Sequence, residues 1–148
     1  MHIIFVIGRV LLVMIFIISG VTKLLDISGT AAQIASVVTV PSALSGVADQ
    51  LQSMTGMSVP QLLAILSGVI ELVGGLLIAF NIGTRGAAFV LVLFTIVVTF
   101  YFHDFWNQTG AARDNNMVHF LKNITAIGGL LIFTVLGSWR PLGRNEPA

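Results

Sequence analysis

Four long apolar runs constrain this chain more than any other feature of its sequence. Each run holds close to the roughly 20 residues that a helix needs to cross about 30 Å of hydrocarbon. Transmembrane strands would be shorter and would alternate between apolar and polar residues. The sequence therefore predicts an all-α integral membrane four-helix bundle, a single domain over residues 1–148 whose spans cover residues 3–24, 62–80, 86–102 and 117–136.

The composition agrees with a membrane protein and excludes several functions. Hydrophobic residues make up 56% of the chain and charged residues only 9%, whereas about a quarter of a soluble domain is charged. The sequence has no cysteine, which excludes disulfides, thiol chemistry and iron–sulfur clusters held by thiolates. The net charge of +1 is too small to indicate nucleic-acid binding.

The basic residues predict how the chain is oriented in the membrane. Short cytoplasmic loops carry an excess of Lys and Arg, and more of these residues fall on the side that holds the N-terminus. Both termini are therefore expected in the cytoplasm. No basic region precedes the first run, which carries Arg9 within it, so it is expected to be a retained span and not a cleaved signal peptide.

The long connection between the first two runs is too polar to span the membrane. Ser28 is expected to cap a short helix over residues 29–38, and Pro41 to end that helix or open the next one. Apolar residues at helical spacing follow. The segment over residues 28–57 therefore predicts one or two interfacial helices in the first outer loop, which could form a lid, a docking surface or a simple membrane contact.

Glu71 is the one charged residue in the run over residues 62–80. A carboxylate in hydrocarbon is costly unless it takes up a proton or finds cations and hydrogen-bond donors on neighbouring helices. The rise per residue puts Lys122 roughly 6 Å nearer the outer side and Arg9 roughly 9 Å nearer the cytoplasmic side. We therefore expect Lys122 to be the closer partner of Glu71, with Arg9 in reach if the helices tilt.

Polar and aromatic side chains near the outer ends of the spans predict a pocket above Glu71. In the fourth run His119, Lys122 and Asn123 share one helical face, because they are three and four residues apart. Turning the polar faces of all four spans inward gives the bundle a polar interior in its outer half. The rim of this outward-facing pocket is expected to hold Lys23, His103, His119 and Trp106.

These residues also have simpler interpretations. Lys23 lies near a membrane boundary, where its ammonium group could reach lipid headgroups. Trp106, with Tyr101 and Phe105, matches the aromatic belt found at membrane interfaces. Glu71 and its cation could be a buried ion pair that fixes the register of the helices.

The alternative interpretation is a site for a small polar or quinone-like molecule. Lys122, His119 and Asn123 would donate hydrogen bonds to its oxygens, and Glu71 would move protons. This hypothesis assigns catalytic roles to Glu71, Lys122 and His119, and substrate binding to Arg9, Lys23, His103, Trp106 and Asn123. The same residues would also suit a proton-coupled transporter.

The histidines do not favour a haem or a metal site. A haem with two histidine ligands needs them to face each other across a space about one porphyrin wide, whereas His103 and His119 both lie near a membrane boundary. A metal held by His103, Asp104 and His119 would lack a further strong ligand. No metal is assigned.

Several short motifs occur in a specific order along the chain. Residues 19–24 read SGVTKL and resemble an SGxxKL signature, and residues 71–75 read ELVGG and resemble ExxGG. Gly8-Arg9 precedes them, and Gly83-Thr84-Arg85, Lys122-Asn123 and Gly128-Gly129 follow. This pattern resembles the DoxX family of small four-span bacterial membrane proteins.

The resemblance implies a location in the bacterial inner membrane and a link to oxidoreduction. Some relatives are connected with thiosulfate:quinone oxidoreduction or with membrane complexes that respond to oxidative and thiol stress. The expected partners are then the lipid bilayer, a quinone and a redox protein. A small-solute transporter or a non-catalytic assembly factor stays open, as does a homo-oligomer. Residues 42–57 form a longer connection than the family pattern predicts.

Overall fold

Four of the helices are long and apolar enough to cross a membrane. A computed structural model describes residues 2–137 of the chain. The membrane-spanning candidates are α1, α4, α5 and α6, which confirms the predicted helical membrane architecture. The helices of the described residues are α1 (His2–Leu25), α2 (Ile27–Val37), α3 (Ser45–Thr55), α4 (Val59–Ala79), α5 (Thr84–Phe102) and α6 (Gly110–Leu136), with short 3-10 turns at Ser42–Leu44 and Phe105–Asn107.

The spanning helices pack as two antiparallel pairs. α1 lies along α4 and α5 lies along α6, while α4 also contacts α5 and joins the pairs. α1 and α6 touch over much less of their length. Their contact includes the side chain of Leu12 against Gly129 and the rings of Phe5 and Phe133, whose centroids are 5.7 Å apart. The bundle is therefore least tightly packed along the seam between α1 and α6.

Glycines set the close approach of α1 to α4. A Cβ atom on Gly20 would lie 2.6 Å from the backbone nitrogen of Leu72, and one on Gly75 would lie 2.7 Å from Cγ1 of Ile17. Small residues at these positions let the two backbones come together, as is common between membrane helices. On α6 the close approach occurs at Gly129, where a Cβ would lie 2.7 Å from Cδ1 of Leu12, and not at Gly128, where a Cβ would meet open space.

The apolar core fills the half of the bundle that holds the N-terminus of α1. It is built from all four spanning helices, with Val13, Ile78, Leu91 and Leu130 fully buried. A smaller cluster joins Ala31 and Ile34 of α2 to Ala64 of α4. The core leaves the other half of the bundle, under α2, for polar side chains.

The connection over residues 28–57 contains two helices, but Ser28 does not cap the first. The cap is Asp26, whose Oδ1 accepts a hydrogen bond from the backbone N–H of Gly29 at 2.9 Å. Ser28 lies inside α2. The buried face of α2 packs on α4, whereas α3 has no buried residue.

The polar segment before the fourth run is helical, although the predicted fourth span began only at residue 117. α6 begins at Gly110, seven residues before the predicted start of the span. Hydropathy missed this first part because its residues are polar, yet Ala111, Ala112 and Arg113 are good helix formers. The extension matters for the site because it sets the positions of Asn116 and His119 relative to α5.

Replacing Gly20 by Ala should separate α1 from α4, because the new methyl group meets backbone atoms that cannot rotate away. The expected loss is about 1–3 kcal/mol of unfolding free energy, the usual cost of overpacking, read from thermal unfolding in detergent. Gly8→Ala on the same helix is the matched control, since nothing lies within 4 Å of its added Cβ. Equal stability of the two variants would contradict the packing described.

Candidate functional site

An ion pair between α1 and α4 is at the centre of the polar half of the bundle. Nζ of Lys23 lies 2.7 Å from Oε2 of Glu71. The carboxylate side chain is 7% exposed and the lysine side chain 23%. The prediction that Lys122 is the closer partner of Glu71 is therefore wrong, and Arg9 does not pair with Glu71 either.

The direction of the side chains explains which lysine reaches the carboxylate. Helical side chains tilt toward the N-terminus of their own helix. On antiparallel helices Lys23 and Glu71 therefore lean toward each other along the membrane normal. Lys122 on α6 leans away from the depth of Glu71, and its Nζ lies 3.0 Å from Nδ1 of His119, one turn earlier. An estimate of depth from Cα rise alone omits this tilt.

Arg9 lies in the opposite half of the bundle. It is 14 residues before Lys23, which is about 21 Å along a helix. Its side chain is buried, with the guanidinium carbon 5.9 Å from the ring centroid of Phe5. Its Nε finds no hydrogen-bond partner among the described residues. Arg9 therefore lies outside the predicted pocket.

A cavity of about 120 Å³ adjoins the ion pair, between the α1–α4 pair and the α5–α6 pair. It lies at the loose seam between α1 and α6, where Ile15 and Lys122 are exposed. Its polar lining groups come from both helix pairs, and apolar side chains complete the wall. The lining residues are Ile15, Phe16, Ser19, Lys23, Glu71, Phe94, Thr95, Val98, Lys122, Asn123 and Ala126. We call this cavity the central pocket.

Asn123 is held in place by α5. Its Nδ2 donates to Oγ1 of Thr99 at 3.0 Å, and the buried hydroxyl of Thr99 donates to the carbonyl of Thr95. This leaves the amide oxygen of Asn123 and its second N–H free to contact a molecule in the central pocket. The amide is therefore oriented before any ligand binds.

Two predicted rim residues form a separate cluster where the C-terminal end of α5 lies against α6. The rings of His103 and His119 are stacked, with centroids 5.2 Å apart and an interplanar angle of 14°. Neither ring lines the central pocket. Lys122 lines the pocket and contacts His119, and so links the two.

Trp106 does not line the central pocket either, which corrects its predicted place on the rim. It is 49% exposed and packs edge-on against Phe100, Phe105 and Phe120. A half-exposed indole within an aromatic cluster at the end of a span matches the interfacial belt. The structure thus places Trp106 in an aromatic cluster outside the central pocket.

A chain of side-chain hydrogen bonds fixes the tautomer of the neutral His103 ring. The Asp104 carboxylate can only accept hydrogen bonds, so Gln108 donates a side-chain N–H to it at 2.9 Å. The amide oxygen of Gln108 therefore faces Asn116. Asn116 donates to that oxygen and to the carbonyl of Ala112, so its Oδ1 must accept from Nδ1 of His103 at 3.1 Å. The neutral His103 ring therefore carries its proton on Nδ1, and its Nε2 is a hydrogen-bond acceptor.

His119 has the opposite arrangement. The ammonium group of Lys122 can only donate, so Nδ1 of His119 accepts from it. The proton of the neutral ring is then on Nε2. The two stacked rings thus present one hydrogen-bond acceptor nitrogen and one N–H donor.

The sequence interpretation missed part of the pocket lining. Ser19, Phe94 and Thr95 were not assigned to the site, although each of them lines the central pocket. A signal was available for the Lys23–Glu71 pair, namely residue spacing. Gly20, where α1 touches α4, lies three residues before Lys23 and so shares its helical face. That spacing already places Lys23 toward α4.

The comparisons with known proteins agree with this architecture. The DoxX family model matches residues 4–104, more than half of the chain. The chain belongs to the DoxX family. It is 30% identical over 131 residues to inner membrane protein YphA of Escherichia coli K12, covering 88% of this chain and 81% of the relative. It is 34% identical over 94 residues to inner membrane protein YqjF of the same organism, covering 64% of this chain and 68% of the relative.

No solved structure matches the chain significantly. The names of both DoxX-family relatives, together with four helices capable of spanning a membrane, assign the protein to the bacterial inner membrane. The cytoplasmic location of its termini stays a prediction.

A double-mutant cycle should identify the partner of Glu71. Lys23→Met leaves a buried carboxylate unpaired, which costs about 3–5 kcal/mol of unfolding free energy. Adding Glu71→Gln should recover part of that loss, because no lone charge then remains buried. Lys122→Met is the control and should change stability by less than about 1 kcal/mol. A larger coupling of Glu71 to Lys122 than to Lys23 in thermal unfolding would refute the pairing.

Nitrogen-15 spectra of the histidine rings should reveal the two tautomers, with the proton on Nδ1 in His103 and on Nε2 in His119. Asp104→Asn removes the carboxylate that orients the amides, so the Nε2–H form of His103 should gain population. Asp114→Asn is the control, because Asp114 is exposed and its ion pair among residues 2–137 is with Arg113. Identical His103 signals in both variants would contradict the hydrogen-bond chain.

Proposed function

We propose that this DoxX-family protein is the membrane subunit of a quinone-linked oxidoreductase, in which the central pocket binds the quinone ring. The observation that carries the proposal is a single cavity that combines a carboxylate–lysine pair, a second lysine and a fixed amide with apolar walls. A quinone ring has the same mixture, since two polar oxygens flank an apolar ring.

The size of the central pocket supports the proposal. Its volume of about 120 Å³ is close to that of an engineered apolar cavity of about 150 Å³ that holds benzene in another protein. One six-membered ring therefore fits. The loosely packed seam between α1 and α6 gives a lipid-soluble tail a way out toward the bilayer.

The pocket residues divide the work between binding and proton transfer. Lys122 and Asn123 donate hydrogen bonds to ring oxygens from α6, while the ring of Phe94 supplies an apolar wall. Glu71 holds or releases a proton, and Lys23 stabilises its carboxylate when the proton has left. A bound quinone would supply the two-electron chemistry, taking up two electrons and two protons.

In this proposal the electrons come from a partner protein. The chain has no cysteine, so it offers neither a dithiol nor thiolate ligands for an iron–sulfur cluster. It does offer proton-handling groups within the membrane. The division of labour we propose therefore has an electron-donating redox protein docked on this subunit and a proton-supplying pocket inside it.

The other function considered is transport of a small solute. A solute leaving the central pocket toward the N-terminus of α1 would have to cross the packed core around Val13, Ile78, Leu91 and Leu130, all fully buried. Proteoliposomes that carry the protein should therefore stay impermeable to small solutes. Flux that disappears in Glu71→Gln would favour the transporter instead.

Asn123→Ala should weaken quinone binding by removing one oriented hydrogen-bond donor. The expected rise in Kd for a short-chain benzoquinone is about tenfold, equivalent to about 1.4 kcal/mol. The measurement is the quinone-dependent shift in thermal unfolding, since a ligand at 100 times its Kd stabilises a protein by about 2.7 kcal/mol.

Asn115→Ala on the same helix is the matched control for this experiment. Its side chain is exposed and does not line the central pocket, so its quinone response should equal that of the unchanged protein. Absence of any stabilisation of the unchanged protein at saturating quinone would count against the proposed function. Equal weakening by both substitutions would remove Asn123 from the site.

A further inference from the structure

A second cavity lies on the other side of the ion pair. Its volume is about 110 Å³, and it is enclosed by α2 together with α1, α4 and α5. α2 covers it because Asp26 caps this helix and Ala31 and Ile34 hold it against α4. The lining residues are Lys23, Thr30, Gln33, Ile34, Ser67, Val98 and Phe102. We call this cavity the upper cavity.

Polar side chains on α2 and α4 offer hydrogen-bond partners to water in the upper cavity, whose remaining wall is apolar. Thr30 and the exposed Gln33 line it, and neither side chain makes a hydrogen bond within the described part of the chain. The hydroxyl of Ser67 donates to the carbonyl of Ala64 and keeps its lone pairs free. A liquid water molecule occupies about 30 Å³, so this volume suits about three to four waters.

Lys23 lies between the two cavities. It lines both of them, as does Val98. One of the three N–H groups of its ammonium is used by Glu71, and the charge also lies 5.6 Å from the ring centroid of Phe94. The lysine side chain is therefore the partition between a polar space under α2 and the carboxylate in the central pocket.

We propose that the upper cavity is a water-filled vestibule that supplies protons to Glu71, and that Lys23 is its gate. A proton arriving on vestibule water would pass to the Glu71 carboxylate when Lys23 swings aside, and each proton that Glu71 gives up would be replaced from this water. The use of those protons rests on the proposed function, whereas the vestibule and its gate do not.

The vestibule can be tested by cysteine labelling, because the natural sequence contains no cysteine. Ser67→Cys places a thiol in the upper cavity. Leu66→Cys is the matched control, since Leu66 precedes it on α4, is 54% exposed on the outer face of the bundle and would meet lipid. The probe is 2-sulfonatoethyl methanethiosulfonate, an anion that reacts with thiolates in water, applied to the full chain in lipid nanodiscs so that both faces are reached.

The vestibule predicts labelling of Ser67→Cys at least tenfold faster than labelling of Leu66→Cys. Thiol ionisation needs water, so a dry cavity would leave the two rates alike and would overturn the proposal. Thermal unfolding of each variant identifies any that has lost its fold. The replacement of Ser67 is nearly isosteric, which keeps the comparison meaningful.

The gate is tested with Ser19→Cys, whose thiol faces the central pocket. Its labelling should accelerate at least tenfold when Lys23→Ala and Glu71→Gln are added together. The paired change avoids the lone buried charge that would endanger folding. An unchanged Ser19→Cys rate beside a fast Ser67→Cys rate would overturn the gate and retain the vestibule.

These measurements separate the vestibule from the proposed function. Labelling needs no quinone and no redox partner, so a protein that fails to bind quinone can still show a hydrated, gated cavity. Conversely, quinone stabilisation with slow labelling of Ser67→Cys would support the central pocket and overturn the upper cavity as a water route.

Discussion

The ion pair between Lys23 and Glu71 is the constraint on which the rest of the structure depends. A lone carboxylate at this depth is too costly to leave exposed to lipid. Nζ of a lysine on the adjoining helix pairs with the carboxylate oxygen at 2.7 Å. The contact requires α1 and α4 to be in close register, which the glycines at their interface allow. The charges and the tight backbone packing thus specify the same helix pair.

The arrangement of the pocket follows from the two helix pairs. α1 and α4 contribute the carboxylate and its lysine, while α5 and α6 contribute a second lysine and an amide anchored on Thr99. The cavity therefore lies where the two pairs face each other and where packing is loosest. Regions with few packed contacts open at low free-energy cost, so a ligand can enter here while the apolar core stays closed.

The sequence predicted the fold well because hydropathy indicates whether a helix is more stable in lipid or in water. Four apolar runs of sufficient length leave few alternatives to a helical bundle. Individual partners depend on side-chain direction and on the extent of polar helix ends, which hydropathy does not contain. Lys122 was therefore preferred to Lys23, and the polar start of α6 was left out of the fourth span. His103 and His119 were placed at the same end, but their stacking could not be foreseen.

The separation of the ion pair along the chain has a consequence for biosynthesis. Lys23 and Glu71 are 48 residues apart, and ribosomes add about 5–20 residues per second, so the lysine precedes its partner by about 2–10 s. During that interval α1 is already a candidate for insertion, and Lys23 near its end can rest among headgroups. When α4 has been synthesised, Lys23 moves from the headgroups to Glu71. Formation of this ion pair is then a step of membrane insertion.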